Sequence, residues 1–177
     1  METDNQIRII LIDDQAIVRA ALKALLNGVT RFDVVGDEAD ARRGVDLVAE
    51  LRPDVVILDI TMVGLSGLDA VGPIKRASPQ TRVLMASQHE GMKFVQQALA
   101  AGADGYLPKD SDPAELSVAI EAIVRGDSYL SPKVANGFMA RAARGEAALA
   151  DDSSALTTLT PREREVFQLL AVGKANK

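Results

Sequence analysis

The chain has 177 residues, 47% hydrophobic and 25% charged, with a formal net charge of −5 and no cysteine. This is the composition of a globular protein, and it excludes a disordered chain, a disulfide framework and a thiolate metal site. No apolar run approaches the roughly 20 residues that span a bilayer, and the acidic opening Met1-Glu2-Thr3-Asp4-Asn5 is wrong for a secretory leader, so a cytoplasmic protein is expected. Residues 1–126 carry 13 Lys+Arg against 19 Asp+Glu, whereas residues 127–177 carry 7 against 6. A front part this acidic repels a nucleic-acid backbone, so any DNA contact must come from the tail.

Arg8-Ile9-Ile10-Leu11-Ile12 is a short apolar run ending in Asp13-Asp14. Ile17, Val18, Ala21, Leu22 and Leu25 follow at helical spacing, and Asn27-Gly28 supplies a stop. Val34-Val35-Gly36 reads as a weaker second strand. Gly44 to Leu51 reads as a helix closed by Arg52-Pro53, because the residue before proline disfavours the helical region. Val55-Val56-Ile57-Leu58-Asp59 is the centre of the pattern. Its four apolar residues read as a strand buried on both faces, running into a carboxylate whose unpaired burial would be costly. A third helix is expected from about Leu68 to Ala77, with Gly72-Pro73 predicting a late start or a kink.

Val83-Leu84-Met85-Ala86-Ser87 is the fourth strand, and Met92 to Ala101 the fourth helix, with Phe94, Val95, Ala98 and Leu99 on its apolar side. Gly102 and Gly105 bracket the turn into a very short strand, Tyr106-Leu107. Asp112-Pro113-Ala114-Glu115 opens the fifth helix as a capping box with proline at the first helical position. Leu116, Ala119, Ile120, Ile123 and Val124 form its stripe.

Five strand–helix alternations over residues 1–126 predict an α/β fold, flavodoxin-like, with a parallel sheet in the order 2-1-3-4-5. That order brings Asp13, Asp14 and Asp59 together at adjacent strand ends, with Ser87 and Lys109 on the same edge. Residues 127–158 read as a linker, first helical (Pro132 to Arg144, with Val134, Ala135, Phe138, Met139 and Ala142 on one side), then flexible. Phe138 and Met139 are expected to be packing residues. Residues 159–177 open an incomplete all-α unit: Thr160, Pro161 and Glu163 form a second capping box, and Gly173 ends the helix.

Three carboxylates in one crevice repel one another and call for a cation. Oxygen ligands with open positions suit Mg²⁺, which binds one or two carboxylates together with a phosphate. A carboxylate at the centre of such a site can act as a nucleophile toward phosphorus. Lys109 and the metal would then offset charge on the transferring group, and Ser87 would donate to it. Asp14 also stands where it can cap the first helix. His89, the one histidine, reads as an exposed loop residue.

The pair Asp13-Asp14 with Asp59, Ser87 and Lys109, each at a strand end, resembles the receiver domain of two-component response regulators. The tail Leu159-Thr160-Pro161-Arg162-Glu163-Arg164-Glu165-Val166, with Leu169-Leu170-Ala171 and Gly173, is similar to the opening of a LuxR-type helix-turn-helix. Together they resemble the NarL/FixJ branch. The resemblance implies that Asp59 accepts phosphate from a sensor histidine kinase, and that Asp13, Asp14, Asp59 and the backbone carbonyl of Thr61 hold Mg²⁺. It also implies that Ser87 and Tyr106 form a switch pair, the ring turning inward. The chain would be no enzyme beyond slow hydrolysis of its own aspartyl phosphate.

A homodimer on phosphorylation, through the fourth and fifth helices or the linker helix, and transcriptional control through DNA follow from the same resemblance. Val63, Phe167 and Ala175 depart from the usual family residues, and with Pro108 before Lys109 and Asp110 after it the Lys-Pro bond of many receivers is missing. The chain ends at Lys177, where a second helix would begin, so no DNA-reading residue is expected within it. A receiver acting only as an interaction partner or phosphate sink is the alternative. A phosphatase of the haloacid-dehalogenase type would need an acid at Thr61.

Overall fold

A computed structural model of the chain describes residues 6–88 and 91–143. The flexible segment expected after Gly145, the helix expected from Thr160, and His89 lie outside the described residues.

The strands are β1 (Ile7–Ile12), β2 (Phe32–Glu38), β3 (Val55–Asp59), β4 (Arg82–Ser87), β5 (Gly105–Pro108) and β6 (Tyr129–Leu130). The helices are α1 (Ala16–Asn27), α2 (Ala41–Leu51), α3 (Gly67–Ala77), α4 (Met92–Ala101), α5 (Pro113–Val124) and α6 (Pro132–Ala143). All strand pairs are parallel, in the order β2-β1-β3-β4-β5-β6. The flavodoxin-like order expected from the sequence is thus present, and one strand longer. Two residues are too few to show an alternating pattern, so β6 was invisible in the sequence. It is attached by Tyr129 N–H to Asp104 O (3.1 Å) and Ser131 N–H to Tyr106 O (3.1 Å).

Alternate residues of the central strands feed two cores. Ile10, Ile12, Val56, Leu58, Val83, Met85 and Tyr106 pack with α2, α3 and α4. Ile9, Leu11, Val55, Ile57, Leu84, Ala86 and Leu107 pack with residues of α1 and α5. All five residues of β3 are buried, as its unbroken apolar run requires. Val134 and Ala135 of α6 are buried as well, so this helix lies on the receiver-like unit with α4 as its neighbour.

Several element ends differ from the sequence reading. The second helix starts three residues early, at Ala41, because Asp40 accepts from the amides of Arg42 (2.9 Å) and Arg43 (3.0 Å). It ends at Leu51, with Arg52 forced to a positive φ of 44° before Pro53. α3 starts at Gly67 with Ser66 as its cap and runs through Pro73, so the start is not late. Glu115 does not close a reciprocal capping box; its carboxylate accepts from the Tyr129 hydroxyl instead (3.2 Å). Val124 is partly exposed and Ala122 takes its place in the core. Ile17 is 81% exposed, so the apolar stripe of α1 is only partly covered.

The end of the sheet opposite the strand C-termini is closed by one buried carboxylate. Asp104 binds Lys75 Nζ at 2.5 Å and Arg82 Nη1 at 3.1 Å, and it accepts from the Val83 amide at 2.8 Å. The cluster leaves the C-terminal edge free for chemistry.

Candidate functional site

β1 delivers Asp13 and Asp14 to the C-terminal edge of the sheet. Asp13 is 3% exposed and every polar atom of it is held. Its amide donates to Glu38 O (3.1 Å), and its carbonyl accepts from Arg19 Nη1 (2.6 Å). Oδ1 accepts from the Gln15 amide (2.8 Å), and Oδ2 lies 2.6 Å from Lys109 Nζ. The cap position of α1 belongs to Gln15, whose side chain makes no capping bond. A capping role for Asp14 is therefore not what the turn uses; Asp13 takes its free amide.

Asp59, also 3% exposed, ends β3 in register with Ala86 of β4. Lys109 Nζ reaches its Oδ2 at 3.2 Å. The backbone of Lys109 is fixed by donation to Ser87 O (2.8 Å), so the strand end that carries the serine also seats the lysine. Among the described residues the buried ammonium has ion-pair contacts but no aligned acceptor. Burial pushes the Asp59 carboxyl above its ordinary range, Asp13 adding to the rise, while Lys109 pulls it back.

One oxygen each from Asp13, Asp14 and Asp59 fall within 4.8 Å of one another. Ser87 is fully buried at the end of β4, and Tyr106 fully buried on the α4 side of the sheet. Thr61 lies exposed in the loop after Ile60. The structure thus brings Asp13, Asp14, Asp59 and Lys109 into one cluster and sets Ser87 and Tyr106 on the two strands that flank it.

Comparison with known proteins places this geometry. The family model described as the response regulator receiver domain matches residues 9–121. The chain belongs to the response regulator receiver family. Within it, this receiver is of the NarL/FixJ type. It is 37% identical to the transcriptional regulatory protein LiaR of Bacillus subtilis, over 97% of this chain and 79% of that protein. It is 32% identical to the nitrate/nitrite response regulator protein NarL of Escherichia coli, over 100% and 81%. A crystal structure of a LuxR-family two-component response regulator from Aurantimonas superposes with a TM-score of 0.75 at 38% identity, covering 78% of this chain and 99% of that one.

The donor set of the receiver fits a divalent cation. Three carboxylates converge with a single lysine among them, a hard-oxygen cluster whose negative charge Lys109 alone does not balance. Two contributors escaped the sequence reading. Gly67 packs against the end of β3 so closely that a Cβ would lie 1.8 Å from Asp59 O; its φ is ordinary, so no turn signal marks it. Arg19 reads in sequence as one more polar residue of an amphipathic helix.

Proposed function

We propose that this chain is a phosphorylation-controlled transcription regulator, whose Asp59 takes a phosphoryl group from the phosphohistidine of a sensor kinase. The observation that carries the reading is the seat of Asp59: buried, 3.2 Å from Lys109, and within 4.8 Å of two further carboxylates. Asp59 attacks phosphorus as the P–N bond to the donor imidazole breaks, and the imidazole leaves with a proton. Lys109 holds Asp59 before the transfer and meets the new phosphoryl oxygens after it. Asp13, Asp14 and Asp59, with the carbonyl of Thr61, would hold Mg²⁺. When bound, that ion offsets the charge of the phosphoryl oxygens.

A donor protein must cover this crevice. An open groove of about 670 Å³ between α1 and α5 begins at Lys109 and is walled by Val18, Leu22, Leu107, Pro113 and Leu116, with Ile17 among its lining residues. The kinase domain carrying the phosphohistidine rests there, its apolar side chains filling a face that the receiver's own core leaves open.

Ser87 turns its hydroxyl to the phosphoryl group and Tyr106 relays the change. The Tyr106 ring is buried beside α4, and its carbonyl accepts from Ser131 at the entry to α6. Phosphate is thereby read by α4 and α6, the surfaces through which a second copy docks. Water later cleaves the acyl phosphate slowly and restores Asp59. DNA is contacted by a complete LuxR-type domain, whose opening the residues from Leu159 onward, outside the described residues, resemble; the similarity to transcriptional regulatory proteins and the motif itself support that output. No described helix is long and apolar enough to cross a membrane, in keeping with a cytoplasmic regulator. The test is phosphoryl uptake from acetyl phosphate with Mg²⁺, in the wild type and in Asp59→Asn. Acid-labile, hydroxylamine-sensitive label confined to the wild type is expected. Equal label in both proteins defeats the assignment.

A further inference from the structure

Arg19 grips the backbone of the acidic turn rather than its carboxylates. Its side chain is only 17% exposed and bridges two elements. Nη1 donates to the carbonyl of Asp13 at 2.6 Å, and Nε meets Asp37 Oδ2 at 3.2 Å. The other oxygen of Asp37 takes Lys23 Nζ at 3.2 Å. Asp37 belongs to β2 and pairs with Leu11 of β1, while the next residue, Glu38, accepts the Asp13 amide. The guanidinium therefore ties α1 to β2 across the end of β1.

The carbonyl of Asp13 and the amide of Asp14 belong to one planar peptide unit. A donor fixed on that oxygen sets the plane, and with it the direction in which the chain presents Asp14. We propose that Arg19 is a positioning residue of the phosphoacceptor site, locking the Asp13–Asp14 peptide so that both carboxylates converge on the cation. The inference rests on the Mg²⁺-assisted reading given above. Two features make the role one of geometry rather than of added charge. Arg19 meets the carboxylate of Asp37 rather than those of Asp13 and Asp14, and the burial of Asp37 is outweighed by Lys23 and Arg19, which hold its carboxyl below the ordinary range. A guanidinium is also a rigid planar fork that can serve a carbonyl and a carboxylate at once, which an ammonium on a flexible stem does poorly.

The test is the Mg²⁺ affinity of the full chain by isothermal titration calorimetry, without any phosphodonor. Arg19→Gln weakens Mg²⁺ binding by about 10- to 100-fold, the scale on which groups that orient metal ligands act, and Arg19→Lys weakens it less. Lys23→Gln, which removes a cation from the same Asp37 but touches nothing of the turn, binds Mg²⁺ as the wild type does. Excess Mg²⁺ restores the rate of phosphoryl uptake from acetyl phosphate in Arg19→Gln, a recovery that simple destabilisation does not give.

Wild-type Mg²⁺ affinity in folded Arg19→Gln overturns the proposal, as does an equal loss in Lys23→Gln. If circular dichroism shows Arg19→Gln unfolded, Asp37→Asn carries the test. It leaves Arg19 but unties the fork, and it must also weaken Mg²⁺. A wild type that binds Mg²⁺ no better than Asp14→Asn defeats the crevice reading itself, and the role of Arg19 with it.

Discussion

Replacing Gly67 by alanine tests how tightly Asp59 is held from behind. The new Cβ would lie 1.8 Å from Asp59 O, 2.8 Å from Asp59 C and 3.2 Å from Ile60 Cα. All three neighbours are backbone, so no rotamer change relieves the clash. Nor can the start of α3 slide. Gly67 N–H donates to Ile60 O at 3.0 Å, and the Ser66 hydroxyl accepts from the Asp69 amide at 3.2 Å. A carbon-to-oxygen contact of about 3.3 Å requires the backbone to open by more than about 1 Å. Overpacking costs about 1–3 kcal/mol; a clash with unyielding backbone belongs at the upper end. At roughly 2–4 °C per kcal/mol for a chain of this size, Tm falls by about 6–12 °C.

Because the displaced residue is the proposed nucleophile, phosphoryl uptake should slow on the order of 100-fold. Thermal melts followed by circular dichroism, and uptake from acetyl phosphate at saturating Mg²⁺, measure the two effects. Gly72→Ala is the control. Its Cβ would meet only the tip of Arg76, at 3.3 Å, so stability should stay within about 1 kcal/mol of the wild type. A Gly67→Ala protein that melts with the wild type and charges at its rate refutes the close-packing account.

Asp59→Asn should also be more stable than the wild type in Mg²⁺-free buffer near neutral pH. The folded pKa of Asp59 is raised by burial. Its stabilising contribution is therefore complete below the unfolded value and lost as pH rises through the folded one. Urea melts at neutral and acid pH check that the advantage shrinks on acidification. Tyr129 is pushed up to about 12 by burial and by Glu115. Its contribution is present below about 10, the ordinary tyrosine value, and disappears as pH climbs to about 12; Tyr129→Phe should flatten that loss in alkaline melts. Asp104→Asn should cost about 3 kcal/mol in urea melts, since it strips a buried partner from Lys75 and Arg82, yet leave phosphoryl uptake unchanged because the cluster sits at the far end of the sheet. Beryllofluoride, a phosphoryl mimic, should alter hydrogen exchange across α4, β5 and α6; unchanged protection there would count against the Ser87–Tyr106 relay.

The parts of the fold written in local pattern were legible in the sequence. An apolar run such as 55–58 has one economical reading, and βα alternation then dictates which strand ends meet, so Asp13, Asp14, Asp59 and Lys109 could be gathered from spacing alone. What the sequence hid were features carried by contact rather than by pattern. The importance of Gly67 is an absent methyl against another segment's carbonyl, and nothing in its neighbours announces it. Arg19 acts through a carbonyl six residues back and a carboxylate on another strand. β6 is too short to show a period. The apolar spacing of α1 is the same whether a core or an open groove receives it, so the groove left no mark in the sequence.

The sixth strand has a consequence for how copies of this chain can meet. Without it β5 would present a bare edge, open to pairing with any extended segment. With it, the edge offered is Tyr129-Leu130, two residues long, followed at once by a helix. At the opposite border β2 skips a residue between Val34 and Gly36 in its register with β1, and Asp33, Asp37 and Glu38 put charge along it. Both borders are thus poor templates for strand addition. Crowding this protein should drive copies together through their helical faces, in reversible and stoichiometric contacts, while fibrillar growth waits on unfolding.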